Sequence, residues 1–352
     1  MRDRRQILCD GAALALGLAA ARPAASEQRP AAKVTPEARK AAAAGLKYLA
    51  EKQGQDGSFG SGQFKGNVGV SSLAALALMG GGHQPDGDGA FRAQVLLTML
   101  YVLGQDGRDP VHAGYLHNAT ASPHGPMYGH GFGLLFLAKL FGHVTDAEKA
   151  KKLKETLVRA IDLTVACQNR EDGWRYTPGS VDADLSVTGT QMLGLRAARD
   201  AGLPVARETL ARAAKYAVAC QNEDGSFRYM VNGGAAGNLS RTGLGLDIIF
   251  SAGKQETPEF AKGLKYLQRH KPTGQAPQRP DMFYLYGHLH ATRVLCAVGG
   301  ELWAEWYAGL ARELLAVQQK DGSWTDPLCP QYGTAVACIL LLLPDEVLFG
   351  GR

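Results

Sequence analysis

The chain has 352 residues, 45% of them hydrophobic and 20% charged, a balance that excludes intrinsic disorder and supplies a large core. Its 38 Lys and Arg against 33 Asp and Glu give a net charge of +5, spread without a basic run or an RNA-type aromatic motif, so nucleic acid is set aside as a partner. Six cysteines without any CxxC spacing describe neither a disulfide framework nor a structural zinc ribbon.

Residues 1–26 read as a targeting segment. Arg2, Arg4 and Arg5 precede the apolar Ile7, Leu8 and Ala12 to Ala21, which the small residues Ala24, Ala25 and Ser26 close. Arg4-Arg5 resembles a twin-arginine export signal, so the expected location is exported, periplasmic or extracellular. Membrane contact is expected only through an uncleaved signal, and Cys9 lies too early for lipid attachment. Removing the segment takes away four Arg and two Asp, which lowers the net charge from +5 to +3. Residues 27–39 read as a linker and 346–352 as a C-terminal tail.

The body, residues 40–345, repeats itself. Four copies of one phrase stand out: Gln53-Gly-Gln-Asp56-Gly57-Ser-Phe59, Gln168-Asn-Arg-Glu-Asp172-Gly173-Trp174, Gln221-Asn-Glu-Asp224-Gly225-Ser-Phe227 and Gln318-Gln-Lys-Asp321-Gly322-Ser-Trp324. Degenerate copies at Gln105 and Gln268 fill the gaps. Successive glutamines are 52, 63, 53, 47 and 50 residues apart, and a period near fifty marks a repeat architecture.

In chain order, each phrase ends an amphipathic helix, as in Ala44, Leu46, Tyr48 and Leu49 at the first and Leu310, Leu314, Leu315 and Val317 at the last. Asp-Gly supplies the turn, and the aromatic after it packs back over that turn. A second, more apolar helix then follows at 68–79, 128–141, 185–199, 242–252, 283–298 and 332–343. These second helices carry small residues, such as Gly69, Ser71, Ser72, Ala74 and Ala75 in the first, as helices buried on both sides require. Six outer and six inner helices result.

The repeated phrase resembles the QW motif of squalene and oxidosqualene cyclases and the related repeat of prenyltransferase β subunits. Met127-Tyr-Gly-His130-Gly-Phe132, the stretch from Asp184 to Arg199 and Gln331-Tyr-Gly-Thr334-Ala also resemble exported bacterial proteins with prenyltransferase and squalene oxidase repeats. The resemblance covers residues 40–345. It implies an all-α fold, an (α/α)6 toroid of six helix-pair repeats, with an apolar central cavity as the expected pocket.

In such a ring the inner helices begin on one rim, which here carries Tyr128, His130, Asp184, Ser186, Arg241, Tyr284, Tyr286, His288 and Tyr332. Of these, His130, Tyr128, Arg241, Tyr284, His288 and Tyr332 are the candidate ligand-binding residues, and six helix N-termini favour an anionic or electron-rich group there. Asp182-Ala-Asp184-Leu resembles the Asp-x-Asp-Asp acid of class II terpene cyclases. The resemblance makes Asp184 and Asp182 the catalytic candidates, although Leu185 stands where the last acid belongs. Asp184 as a helix N-cap is the competing and preferred reading.

His112, His117, His124 and His130 cluster in sequence, but lack HExxH spacing or an acidic partner pattern. No metal and no cofactor is expected. Cys329 and Cys338 are open to pairing, while Cys167 and Cys220 read as packing residues. The expected function is a toroid that binds an apolar or isoprenoid-like ligand, a hydrophobic small molecule or a surface partner. The alternative is a non-catalytic protein- or glycan-binding module. A carbohydrate-active toroid would need paired carboxylates, for which Asp182, Asp184 and Asp281 are the rim acids.

Overall fold

The computed structural model describes residues 32–121, 125–275 and 282–345. The targeting segment with Cys9, His124, Asp281 and the C-terminal tail lie outside the described residues. Within them are twelve α-helices and no strand. The outer helices are α1 (Pro36–Glu51), α3 (Arg92–Leu103), α5 (Ala147–Ala166), α7 (Arg207–Ala219), α9 (Pro258–Arg269) and α11 (Gly300–Val317). The inner helices are α2 (Val68–Gly80), α4 (Pro126–Leu140), α6 (Leu185–Asp200), α8 (Leu239–Ser251), α10 (Tyr284–Val298) and α12 (Pro330–Leu342). α1 starts inside the stretch read as linker, because Thr35 caps it and Pro36 occupies its first position.

Each inner helix packs on the next in the order α2, α4, α6, α8, α10, α12, and α12 packs back on α2. The ring is therefore closed, and the (α/α)6 toroid is the observed fold. The outer helices bury one stripe, as α7 does with Leu210, Ala213, Ala214 and Ala217. The inner helices are buried almost all round; every residue of α2 from Val68 to Met79 is buried. Close approach explains their small residues. A Cβ on Gly131 would lie 2.9 Å from the Thr190 backbone, and one on Gly194 would lie 2.9 Å from the Gly131 carbonyl, so α4 and α6 meet backbone to backbone.

The repeated phrase is a hydrogen-bonded clamp. Gln53 Nε2 donates to its own turn at Gly57 O and to Gln94 O in the first turn of α3. Gln168 does the same with Asp172 O and Thr209 O of α7. Gln221 reaches Gly225 O and Glu259 O of α9. Gln318 reaches Gly322 O and Ala41 O of α1, so the same clamp that links successive repeats also joins the last to the first. In the degenerate second copy Gln105 turns back to Tyr101 O. There Asp106 makes the link instead, through Thr156 and Arg159 of α5.

The motif aromatics are equally regular. The backbone N–H groups of Phe59, Trp174 and Trp324 donate to Ser71, Thr188 and Thr334 on the following inner helices. Trp174 and Trp324 also donate their indole N–H to Thr164 O and Leu314 O, each ten residues back. One copy departs from the expected alignment. Gly57, Gly225 and Gly322, four residues after their glutamines, have φ of 85°, 91° and 87°, and the residue at that place after Gln168 is Asp172, with φ 70°. Asp172 thus fills the glycine position, and Gly173 follows it because a Cβ there would meet Ala183 Cβ at 2.7 Å. Arg212 and Lys215 on α7 pair with the Asp172 carboxylate and hold it.

Candidate functional site

Asp184 is the N-cap of α6 and is fully buried. Its Oδ1 accepts from Val187 N–H at 2.8 Å and from the Ser186 hydroxyl at 2.7 Å. Its Oδ2 has no hydrogen-bond partner, and the nearest cation is Arg175 Nε at 3.9 Å. Burial raises the Asp184 pKa against the bonds from Val187 and Ser186, the nearby Tyr229 phenol and the Arg175 charge. Tyr229 favours the carboxylate from beside it without a hydrogen bond of good geometry. Asp182 sits at the lip, its Oδ2 2.6 Å from Arg175 Nη1.

Two inner helices send side chains across the ring to Ser186, which bonds this carboxyl. From α4, the Tyr128 hydroxyl lies 2.5 Å from Ser186 Oγ. From α10, Tyr286 reaches past α8 and donates to Ser186 O at 2.7 Å. The Tyr286 ring is 6.2 Å from that of Tyr128 and 6.4 Å from that of Phe132, so helices on opposite sides of the ring touch at the axis. Tyr332 of α12 is buried, and burial, then Asp326 and Cys329, pushes its phenol well above the ordinary pKa. Tyr128 and Tyr286 nonetheless keep part of their surface accessible. Burial, then neighbouring Asp184 or Tyr332, pushes both phenols well above their ordinary pKa.

The loops add a second tier. Tyr176 and Tyr229 share a hydroxyl hydrogen bond of 2.8 Å. Arg175 lies over the Tyr176 ring at 4.9 Å and Arg241 over Tyr229 at 5.7 Å. Across the ring, Asp326 accepts from Leu328 N–H, and burial pushes its pKa up to about 6.

Among the expected residues, the structure brings together Asp184, Asp182, Tyr128, Arg241 and Tyr332. His130 does not join them. Its Nδ1 accepts from Leu116 N–H at 3.2 Å and its Nε2 engages Thr164 at 2.9 Å, so the ring pins a loop and α5 to α4. Burial lowers its pKa to about 4. Tyr284 and His288 face outward: Tyr284 donates to Glu313 of α11 at 2.5 Å, and His288 packs on Trp306 of the same helix. Both are parts of the α10–α11 seam. His112 pairs with Asp109 at 3.1 Å; among the described residues no group of three His, Cys, Asp or Glu is placed to hold a metal ion. Cys329 and Cys338 are free thiols.

Tyr176, Tyr229, Arg175 and Asp326 were not singled out from the sequence, although a signal exists. Trp174-Arg-Tyr176 and Phe227-Arg-Tyr229 repeat one tripeptide, and Asp326 follows Trp324 at the same offset. Two residues past each motif aromatic, the chain reaches the rim. A separate groove of about 330 Å3, between α1 and the 318–322 turn, lies on the outer wall. No described helix is long and apolar enough to cross a membrane.

The sequence matches no family model, and no curated protein resembles it to significance. Solved structures do resemble it. The type II terpene cyclase MstE from Scytonema is 14% identical, with 88% of this chain and 99% of that one superposed at a TM-score of 0.57. Its complex with geranylgeranyl dihydroxybenzoate gives 14% identity, 88% and 97% coverage and a TM-score of 0.58. The GH76 α-mannanase of Bacteroides thetaiotaomicron is 10% identical, covers 87% of this chain and 95% of its own, and has a TM-score of 0.62. At these identities the likeness is one of architecture: the chain has the α/α toroid fold that a terpene cyclase and a mannanase share.

Proposed function

We propose that this protein binds an apolar, isoprenoid-like ligand against the aromatic side chains at the inner rim of its toroid, outside the cytoplasm. The observation that carries the reading is the convergence of Tyr128, Phe132 and Tyr286 on the ring axis beside a buried Asp184 whose Oδ2 has no hydrogen-bond partner. Aromatic walls around one carboxyl offer dispersion and π contacts to an unsaturated chain and few polar groups to compete. The repeated Gln-to-aromatic phrase supports kinship with prenyltransferase and squalene oxidase repeat proteins, and the Arg4-Arg5 segment supports export. Proton donation by Asp184, with Asp182 ordering Arg175 beside it, is the catalytic extension of the same reading. The unpartnered Oδ2 and the raised pKa favour it.

The test is mass spectrometry of lipids that stay with the purified full-length protein, alongside a Tyr286→Ala variant. An isoprenoid-like lipid retained by the wild type and lost from the variant supports the reading. Retention of an oligosaccharide, or of nothing at all, refutes it and leaves the glycan- or protein-binding alternative. Turnover of a polyprenyl substrate that Asp184→Asn abolishes would establish the catalytic extension. For export, cell fractionation should find the protein outside the cytoplasm and find Arg4→Lys/Arg5→Lys retained inside.

A further inference from the structure

The end of the ring opposite the aromatic rim, where the inner helices finish, carries an unbalanced group of guanidiniums. The last turn of α6 holds Arg196, Arg199 and Asp200, and the short turn 201–206 leads to Arg207, the first residue of α7. Asp200 is already engaged, because both its oxygens accept from Arg196 Nε, at 2.9 and 2.8 Å. Arg196 is fixed further over the Phe250 ring, 5.7 Å from its centroid. Arg199 is left 4.0 Å from Asp200, its side chain 31% exposed and without a hydrogen-bond partner among the described residues. Arg207 is exposed and has none there either.

The local structure does not account for this pair. A cation in the last turn of α6 complements the helix dipole, which explains Arg199 alone. Arg207 stands in the first turn of α7, the positive end, where a carboxylate is the favoured charge. Ala206, the N-cap, supplies no side-chain acceptor, and Glu208 is the one acid of that turn. Arg199 loses solvation and lies close enough to Arg196 and Arg207 for both charges to lower its pKa, against Asp200 alone. An oxyanion between Arg199 and Arg207 relieves both. A phosphate group suits two planar guanidinium forks, since it presents several oxygens that accept from both at once. Both side chains reach solvent, so such a group docks from outside and needs no internal cavity.

We propose that Arg199 and Arg207 form a site for a phosphate group, either inorganic phosphate or the terminal phosphate monoester of a lipid. The site lies at the far end of α6 from Asp184 and stands or falls independently of the apolar ligand.

Calorimetric titration of the full-length protein with sodium phosphate, against sodium chloride at equal ionic strength, reads the site. Phosphate should bind and chloride should not, and Arg199→Gln and Arg207→Gln should each weaken phosphate by about 10-fold. In phosphate-free buffer Arg207→Gln should unfold at no lower a temperature than the wild type, because it removes a repelled charge; a lower midpoint would show that Arg207 serves the fold and would overturn the inference. Co-sedimentation with phosphatidylcholine vesicles, with and without phosphatidic acid, separates the two sources. Capture that requires phosphatidic acid and fails in Arg207→Gln assigns the lipid phosphate, whereas calorimetric binding without capture assigns the free ion. Binding in neither arm, chloride equal to phosphate, or folded variants that bind as tightly as the wild type overturn the inference.

Discussion

Replacing Gln318 with alanine tests whether the ring is held shut by the clamp that links its repeats. The amide of Gln318 donates at 2.9 Å to Gly322 O and at 2.9 Å to Ala41 O, the second of these being a bond between the last repeat and the first helix. A typical internal hydrogen bond contributes about 0.5–1.5 kcal/mol net, so losing both costs roughly 1–3 kcal/mol. For a domain of this size that corresponds to a fall of about 2–6 °C in the midpoint of thermal unfolding. Gln221→Ala removes the equivalent pair within the chain, to Gly225 O and Glu259 O, and serves as the comparison. Only the Gln318 variant should also speed amide hydrogen exchange in α1, because α1 is the helix it releases. A Gln318→Ala midpoint within 1 °C of wild type, with unchanged exchange in α1, would refute the reasoning.

Asp172→Gly and Asp172→Ala should separate two effects at the one non-glycine residue with positive φ among those described. Both lose the ion pairs with Arg212 and Lys215, but alanine alone retains the left-handed strain, so it should be less stable than glycine by about 1 kcal/mol in urea denaturation; equal stabilities would count against the register assigned to that turn. His130 and His288 are buried neutral, with folded pKa values near 4 and 3 against about 6.5 in an unfolded chain. Depressed bases stabilise the fold fully above the unfolded pKa and progressively less below it, so stability should drop between pH 7 and pH 5 by roughly 2 kcal/mol per ring; a flat profile of unfolding midpoint against pH across that window would contradict the assignment. Asp247 anchors a buried network with His290 at 2.7 Å and with Arg293. Asp247→Ala strands that arginine and should cost about 3–5 kcal/mol, and a loss under 1 kcal/mol by the same denaturant assay would show that Arg293 finds water instead.

The repeat and the ring were readable because they rest on local chemistry. A glutamine three or four residues before an aspartate and a glycine, with an aromatic behind, specifies the same turn wherever it occurs, and the inner helices begin within a few residues of their expected starts. Those starts move where a cap intervenes: α8 begins at Leu239 because Asn238 caps it, and α4 at Pro126. The site was only half readable. Tyr284 and His288 lie on one face of α10, their rings 4.3 Å apart, but spacing alone does not say which face points to the axis. Trp306 and Glu313 on α11 take that stripe, and the stripe of Tyr286 and His290 turns inward instead. His130 was misread for the same reason, since Thr164 lies on a helix distant in sequence. Asp184 met its preferred reading as a cap, and the capping bond uses only one of its two oxygens.

The offset of two residues past each motif aromatic has a consequence for how such a ring changes over time. Ser61, Tyr176, Tyr229 and Asp326 occupy that offset, and each enters the rim from a turn whose frame is fixed by its own glutamine clamp. The side chain there is a replaceable fitting on a standard bracket: a hydroxyl, a phenol and a carboxyl all occur, and Ser61 simply bonds Gln331 across the seam. Substitution at one bracket alters what the rim recognises while leaving the wall behind it intact. A toroid assembled this way can exchange ligands one repeat at a time.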